Sequence, residues 1–161
     1  MALPGWMIRE LGAVPTASDG QVQPAGVDLR VAEVEMLAEP GLLGVKSRII
    51  PRGTPVAPEG GVWRLTPGAY RIRFLDVVEV PRDSLGLCFP RSSLLRMGAA
   101  LHCAVWDPGY KGRGQALLTV YNPNGITVEA GARIAQIIFI KLAGEAKGEY
   151  QGAYQGEGLE A

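Results

Sequence analysis

Apolar and polar positions alternate in short bursts along this chain, and glycine or proline closes almost every burst. In "AYRIRFLDVVEV" (69–80), Tyr70, Ile72 and Phe74 fall on one side and Arg71 and Arg73 on the other, the two-residue period of a half-buried strand. The same reasoning predicts strands at "GVDLRVAEVEML" (26–37), "SRIIP" (47–51), "GVWRL" (61–65), "LGLCFP" (85–90), "AALHCAVWD" (99–107), "QALLTVYN" (115–122), "GITVEAG" (125–131) and "ARIAQIIFIKL" (132–142). So many short strands at near-regular spacing predict an all-β sandwich or barrel. Only two segments carry helix signals. "SSLLRMG" (92–98) offers Ser92 or Ser93 as N-cap and Gly98 as terminator, and "GWMIRELG" (5–12) is the other. From residue 143 onward the pattern collapses into "AGEAKGEYQGAYQGEGLEA", read as a mobile tail that orders only against a ligand or a neighbouring subunit.

Composition narrows this picture. With 161 residues the chain suits one domain with a real core. Its 22 glycines and 12 prolines argue against long helices. Sixteen basic residues balance sixteen acidic ones, so no general field draws it to nucleic acid or an anionic membrane, and any polyanionic ligand must be held locally. No apolar run approaches the roughly 18 residues of a membrane span, and a soluble cytoplasmic protein is expected. Cys88 and Cys103 both sit in apolar segments without Cys-x-x-Cys spacing, which favours buried thiols over a disulfide or a zinc site.

Familiar catalytic patterns are absent: there is no Walker loop, no G-x-S-x-G, no H-E-x-x-H, and a single histidine. Four segments combine turn residues with polar ones. "PAGVDLR" (24–30) carries Asp28 into a strand. "PRSSLLRMG" (90–98) puts Arg91, Ser92 and Ser93 at a helix start, where free N–H groups favour an anion. "WDPGYKGRG" (106–114) holds Asp107 and Tyr110, and "GARIAQIIF" (131–139) carries Arg133 and Gln136. Each also has an ordinary structural use. Arg91 and Arg133 can pair with Asp28 or Asp107, Ser92 can be only a cap, Gln136 can satisfy a strand edge, and Asp107 beside Pro108-Gly109 can simply cap a turn.

In this order, "VQPAGVDLR", "VEVPRDSLGLCFPRSSLLRMG", "CAVWDPGYKGRG", "VEAGARIAQIIF" and a Gly/Tyr-rich tail together resemble the dUTPase and dCTP deaminase superfamily, over about residues 22–156. The resemblance is weakest over 38–68 and in the tail. It implies a distorted jelly-roll, a β-clip-like barrel, usually assembled as a homotrimer whose three sites draw on neighbouring subunits and hold a deoxynucleoside triphosphate with Mg²⁺ bridging its phosphates. No direct protein ligand to the metal is expected. By the same resemblance Arg91, Ser92 and Ser93 match the phosphate-binding motif, with Arg96 beside them. Tyr110 matches the aromatic under the deoxyribose. The hairpin around Leu101 to Val105, with Cys103 and Ala104, matches the segment that reads the base through backbone groups. Asp107 matches the motif aspartate, Gln136 the glutamine that places water and phosphate, and Tyr154 the aromatic of a closing C-terminal motif spanning 143–161. Asp28 and Arg133 support the site.

The superfamily holds two reactions. "QPAGVDL", "RSSLLRMG" and "DPGYKG" lean toward the deaminase branch, whose chemistry needs a glutamate in an L-E-x-x-N pattern on the strand after the Asp-Pro-Gly turn. Here that strand reads "ALLTVYN", and Thr119 stands in the place of the glutamate. A threonine hydroxyl does not titrate near neutral pH and cannot shuttle protons between water and a departing amine. Hydrolysis of dUTP to dUMP and pyrophosphate is therefore expected, with Asp107 activating water. A dCTP deaminase or bifunctional enzyme, and a non-catalytic nucleotide-binding regulatory trimer, are the alternatives.

Overall fold

A computed structural model describes residues 1–144 and 146–159. Fourteen strands and two short helices follow in chain order: α1 (Gly5–Glu10), β1 (Val22–Gln23), β2 (Gly26–Leu37), β3 (Leu42–Leu43), β4 (Arg48–Ile49), β5 (Gly53–Pro55), β6 (Val62–Leu65), β7 (Gly68–Phe74), β8 (Val78–Glu79), β9 (Ser84–Pro90), α2 (Ser92–Arg96), β10 (Ala99–His102), β11 (Lys111–Gly112), β12 (Gln115–Val120), β13 (Ile126–Glu129) and β14 (Arg133–Lys141). The expected all-β architecture is what forms.

The main sheet runs β10-β12-β7-β2-β14-β9, with β1 and β5 also pairing β2. Its length makes β2 the spine: one half pairs with β14 and the other with β7, with irregularities between Val31 and Glu33 and between Arg133 and Ala135 that let it turn from one layer to the next. The two ends of this path meet. Gly86 of β9 exchanges backbone hydrogen bonds of 2.8 and 3.0 Å with Trp106, just past the end of β10, so the sheet nearly closes into a barrel. Alternate residues of its strands fill the interior, where Leu29, Ile72, Phe74, Leu118, Ile137 and Phe139 are fully buried, and α1 plugs one end with Ile8.

Three sequence expectations need correction. The strand predicted over 69–80 breaks after Phe74, because Asp76 is buried and accepts the Arg30 N–H at 2.8 Å and its guanidinium at 2.7 Å. The strand predicted over 99–107 ends at His102, after which only Trp106 returns to the sheet. Arg91, not a serine, occupies the N-cap position of α2, with no side-chain cap bond, while Gly98 ends the helix at φ +79° as expected. The short β1, β3, β5 and β11 were not legible, and the 47–51 strand shrinks to the two exposed residues of β4. Among the described residues no helix is long and apolar enough to cross a membrane.

Candidate functional site

The "WDPGYKGRG" segment forms a tight turn whose flanks pair elsewhere, Trp106 with Gly86 and Lys111–Gly112 with β8. The Tyr110 N–H returns to the Asp107 carbonyl at 3.1 Å across Pro108-Gly109, and Gly109 at φ +80° supplies the conformation that a type II turn demands. The turn is pinned by bonds of 3.0 and 2.8 Å between Val80 and Gly109 and Tyr110. Trp106 anchors it from below, lying 6.2 Å from Phe74 and edge-on to Tyr110 at 5.2 Å. Gly114 leaves room for that ring, since a Cβ there would stand 2.4 Å from it. Asp107 itself is exposed, and among the described residues its carboxylate takes no hydrogen bond or ion pair. Backbone bonds and the Gln155 amide, which donates to Gly109 O and accepts from the Lys111 N–H at 3.0 Å each, hold the turn without using this carboxylate.

Asp107 faces a cavity of about 400 Å³, to which Val105, Trp106 and three further sequence candidates, Ala104, Tyr110 and Tyr154, also contribute. Part of the tail packs here. Tyr150 donates its N–H to Pro108 O at 2.8 Å, Gly156 to Lys111 O at 2.8 Å, and the Tyr110 hydroxyl donates to Glu157 Oε1 at 2.9 Å. Tyr110 and Tyr150 meet edge-on at 5.6 Å. The tail expected to order only against a ligand or another subunit thus has partners in its own chain over 150–158. Burial holds the Glu157 carboxyl above its ordinary range, with Tyr110 and Arg73 pulling it down, and burial pushes the Tyr110 phenol well up.

A second cluster gathers around Asp28, which β2 buries completely. Arg91 Nε and Arg133 Nη1 each lie 3.4 Å from its Oδ2, and Gln23 donates to the same oxygen at 3.2 Å, while Oδ1 has no hydrogen-bond partner among the described residues. Burial holds this carboxyl above the usual aspartate value despite the two arginines. Gln136 of β14 stands directly opposite Asp28 in register. Ser92 and Ser93 are exposed at the start of α2, and Arg96 donates to Ser92 O at 3.4 Å. Arg91 and Arg133 therefore pair with Asp28 and not with Asp107.

None of Arg91, Ser92, Ser93, Arg96, Gln136, Asp28 and Arg133 lines the Asp107 cavity, and Cys103 packs against the core beside Cys88. Within one chain the sequence-predicted residues form two separate groups. The cavity also has lining residues that sequence reasoning missed: Ile50, Arg71, Gln115, Tyr150 and Glu157.

The strand that would carry a deaminase acid can be read row by row. Thr119 of β12 lies between Ala100 of β10 and Ala69 of β7, and Leu117 lies between His102 and Arg71. No cross-strand carboxylate replaces the missing glutamate.

The nearly closed, distorted β-barrel with a cavity at its Asp-Pro-Gly turn has the fold of the dCTP deaminase-like class of protein. A solved structure of 2'-deoxycytidine 5'-triphosphate deaminase from Agrobacterium tumefaciens matches this fold with a TM-score of 0.66 at 23% identity, covering 86% of this chain and 47% of that one. The chain belongs to the dCTP deaminase-like family, whose model matches residues 7–142. Among its relatives, a protein of Aeropyrum pernix named a probable deoxyuridine 5'-triphosphate nucleotidohydrolase is 54% identical over 159 residues, covering 99% of this chain and all of the relative. A deoxyuridine 5'-triphosphate nucleotidohydrolase of Methanocaldococcus jannaschii is 39% identical over 140 residues, covering 84% of this chain and 88% of that protein.

Proposed function

We propose that this chain is a dUTP diphosphatase that converts dUTP and water to dUMP and pyrophosphate. The observation that carries the reading is the Asp107 carboxylate, carried on a tight turn, without a hydrogen bond or ion pair among the described residues and facing a cavity. The names of the relatives agree with it. Deaminase chemistry is disfavoured by the row around Thr119, which holds no group able to shuttle a proton.

In this reading Asp107 orients a water molecule and accepts its proton as the oxygen attacks the α-phosphorus. The electrons of the breaking P–O bond leave with pyrophosphate. Phosphoryl transfer asks mainly for positioning and charge neutralisation, and Arg91 with the Ser92 and Ser93 hydroxyls provides both, with Arg96 adding charge nearby. Gln136 helps to place water and phosphate, while Asp28, itself paired with Arg133, holds Arg91 in position at the start of α2. Tyr110 packs against the deoxyribose, and backbone groups of Cys103 and Ala104 meet the base. Because the phosphate-binding group and the Asp107 cavity are separate in one chain, the complete site is assembled between copies in a homotrimer, with residues 143–161 as a lid whose Tyr154 covers the nucleotide.

Among the described residues no three histidine, cysteine or acidic side chains converge. Mg²⁺ suits this site as a companion of the substrate, bound by phosphate oxygens and neutralising their charge. Asp107→Asn tests the assignment: hydrolysis disappears while assembly and nucleotide binding persist, and full activity in the variant contradicts it.

A further inference from the structure

Arg71 is the least expected member of the cavity wall. It projects from the outer face of β7, where cross-strand ion pairs are ordinary, and Glu35 of β2 stands opposite it in register. Glu35 Oε2 accepts from Arg71 Nε at 2.8 Å and Nη2 at 2.5 Å, and Pro51 O accepts from Nη1 at 3.1 Å. Three of the five guanidinium N–H groups are thereby used, which fixes the plane and leaves one donor on each Nη. Beside it, the Gln115 amide also lines the cavity and has no side-chain hydrogen bond among the described residues.

We propose that Arg71, aimed by Glu35 and assisted by Gln115, reads the 4-oxo group of the pyrimidine and so selects uracil over cytosine. The inference rests on the dUTP reading above and deepens it. Two features assign this end of the cavity to the base and not to the triphosphate. Ile50, Val105, Trp106 and Tyr154 give the cavity an apolar wall suited to a flat ring. The charge of Arg71 is already compensated by Glu35, so it offers a directed donor with little net pull on a polyanion.

The choice between bases follows from donor chemistry. A pyrimidine with a 4-oxo group presents an acceptor there, whereas cytosine presents an amino donor. A glutamine can turn its amide to suit either base, but a guanidinium can only donate. Arg71 therefore meets the cytosine amino group donor to donor. A site built to hydrogen-bond one group rejects the analogue that leaves its polar groups unpaired. The contact is indifferent to a 5-methyl group, so it sorts 4-oxo from 4-amino pyrimidines and does not distinguish dUTP from dTTP.

The test compares the full-length protein with the double variant Glu35→Gln/Arg71→Met, which removes both charges together and leaves no lone carboxylate. Arg71→Lys is the second variant, keeping the charge without the two-point hold. Binding of α,β-imido-dUTP, α,β-imido-dCTP and inorganic triphosphate is measured by calorimetry, with dUTP hydrolysis by the unmodified protein assayed in parallel. The double variant should bind the dUTP analogue about tenfold or more weakly, the scale of a lost charge-assisted hydrogen bond, with the dCTP analogue bound as well as before or better and triphosphate unaffected. Arg71→Lys should fall between the two. Equal losses for both analogues, a loss for triphosphate, or undiminished preference for the dUTP analogue overturns the inference while the hydrolase reading stands. Absence of dUTP hydrolysis by the unmodified protein overturns that reading instead.

Discussion

Replacing Tyr110 with phenylalanine deletes one oxygen and keeps the ring. The edge-on contacts with Trp106 at 5.2 Å and Tyr150 at 5.6 Å survive, and so does the backbone bond to Asp107. What disappears is the 2.9 Å hydrogen bond from the phenol to Glu157. A bond to a carboxylate contributes about 1.5–3 kcal/mol when buried, and Glu157 keeps some solvent access and the field of Arg73, which places the loss at about 1–2 kcal/mol. The equilibrium between packed and lifted tail should then move roughly 5- to 30-fold toward the lifted state. Hydrogen exchange at the Tyr150, Gly156 and Arg113 amides reports that equilibrium directly, because each N–H is bonded between tail and barrel in the packed form. Exchange there should accelerate by this factor while strand amides such as those of β14 stay protected. Unchanged protection in the tail would refute the claim that the Tyr110–Glu157 bond holds it down.

Three further outcomes follow from the same geometry. Deleting residues 148–161 should leave the barrel folded, since its fully buried side chains all precede residue 142, while steady-state turnover of dUTP falls sharply; unchanged kinetics would remove the lid from the account. Because burial raises the Glu157 carboxyl in the packed tail, that state binds its proton more tightly than the lifted one. Packing should be firmest below the ordinary glutamate value of 4.5 and weaken as pH rises through the raised one, and Glu157→Gln should flatten the profile of intrinsic-rate-corrected exchange. Asp76→Ala strands both the Arg30 N–H and its guanidinium at the junction of β2 and β7. It should cost about 3 kcal/mol in urea unfolding, the low end for a broken buried pair because Arg30 is partly exposed.

Strong alternation made the barrel legible in the sequence. β7 was found because apolar residues recur at every second position, and β14 and β9 because short apolar runs stand between clear glycine or proline stops. The break at Asp76 was hidden, because a single acid inside "FLDVVEV" reads as an outward position and only Arg30, 46 residues earlier in the chain, explains its burial. Asp107 stood out through its Pro-Gly turn, but the sequence left two uses for it, and the lack of any partner for its carboxylate among the described residues is what supports the catalytic one. Arg71 and Gln115 were invisible for a different reason. An arginine on the outer face of a strand looks like half of a surface ion pair, which it is, and only the tertiary placement of Ile50 and the Asp107 turn makes that face the wall of a cavity. The tail contacts run largely through backbone groups of Gly156, Glu157 and Gly158, which leave no mark in a hydrophobic pattern.

The central claim is hydrolysis of dUTP without deamination of dCTP, and product analysis with Mg²⁺ tests it most directly. Incubation with dUTP should yield dUMP and pyrophosphate, while dCTP releases no ammonia. Ammonia from dCTP would mean that another group supplies the acid and base absent beside Thr119, and would contradict the account.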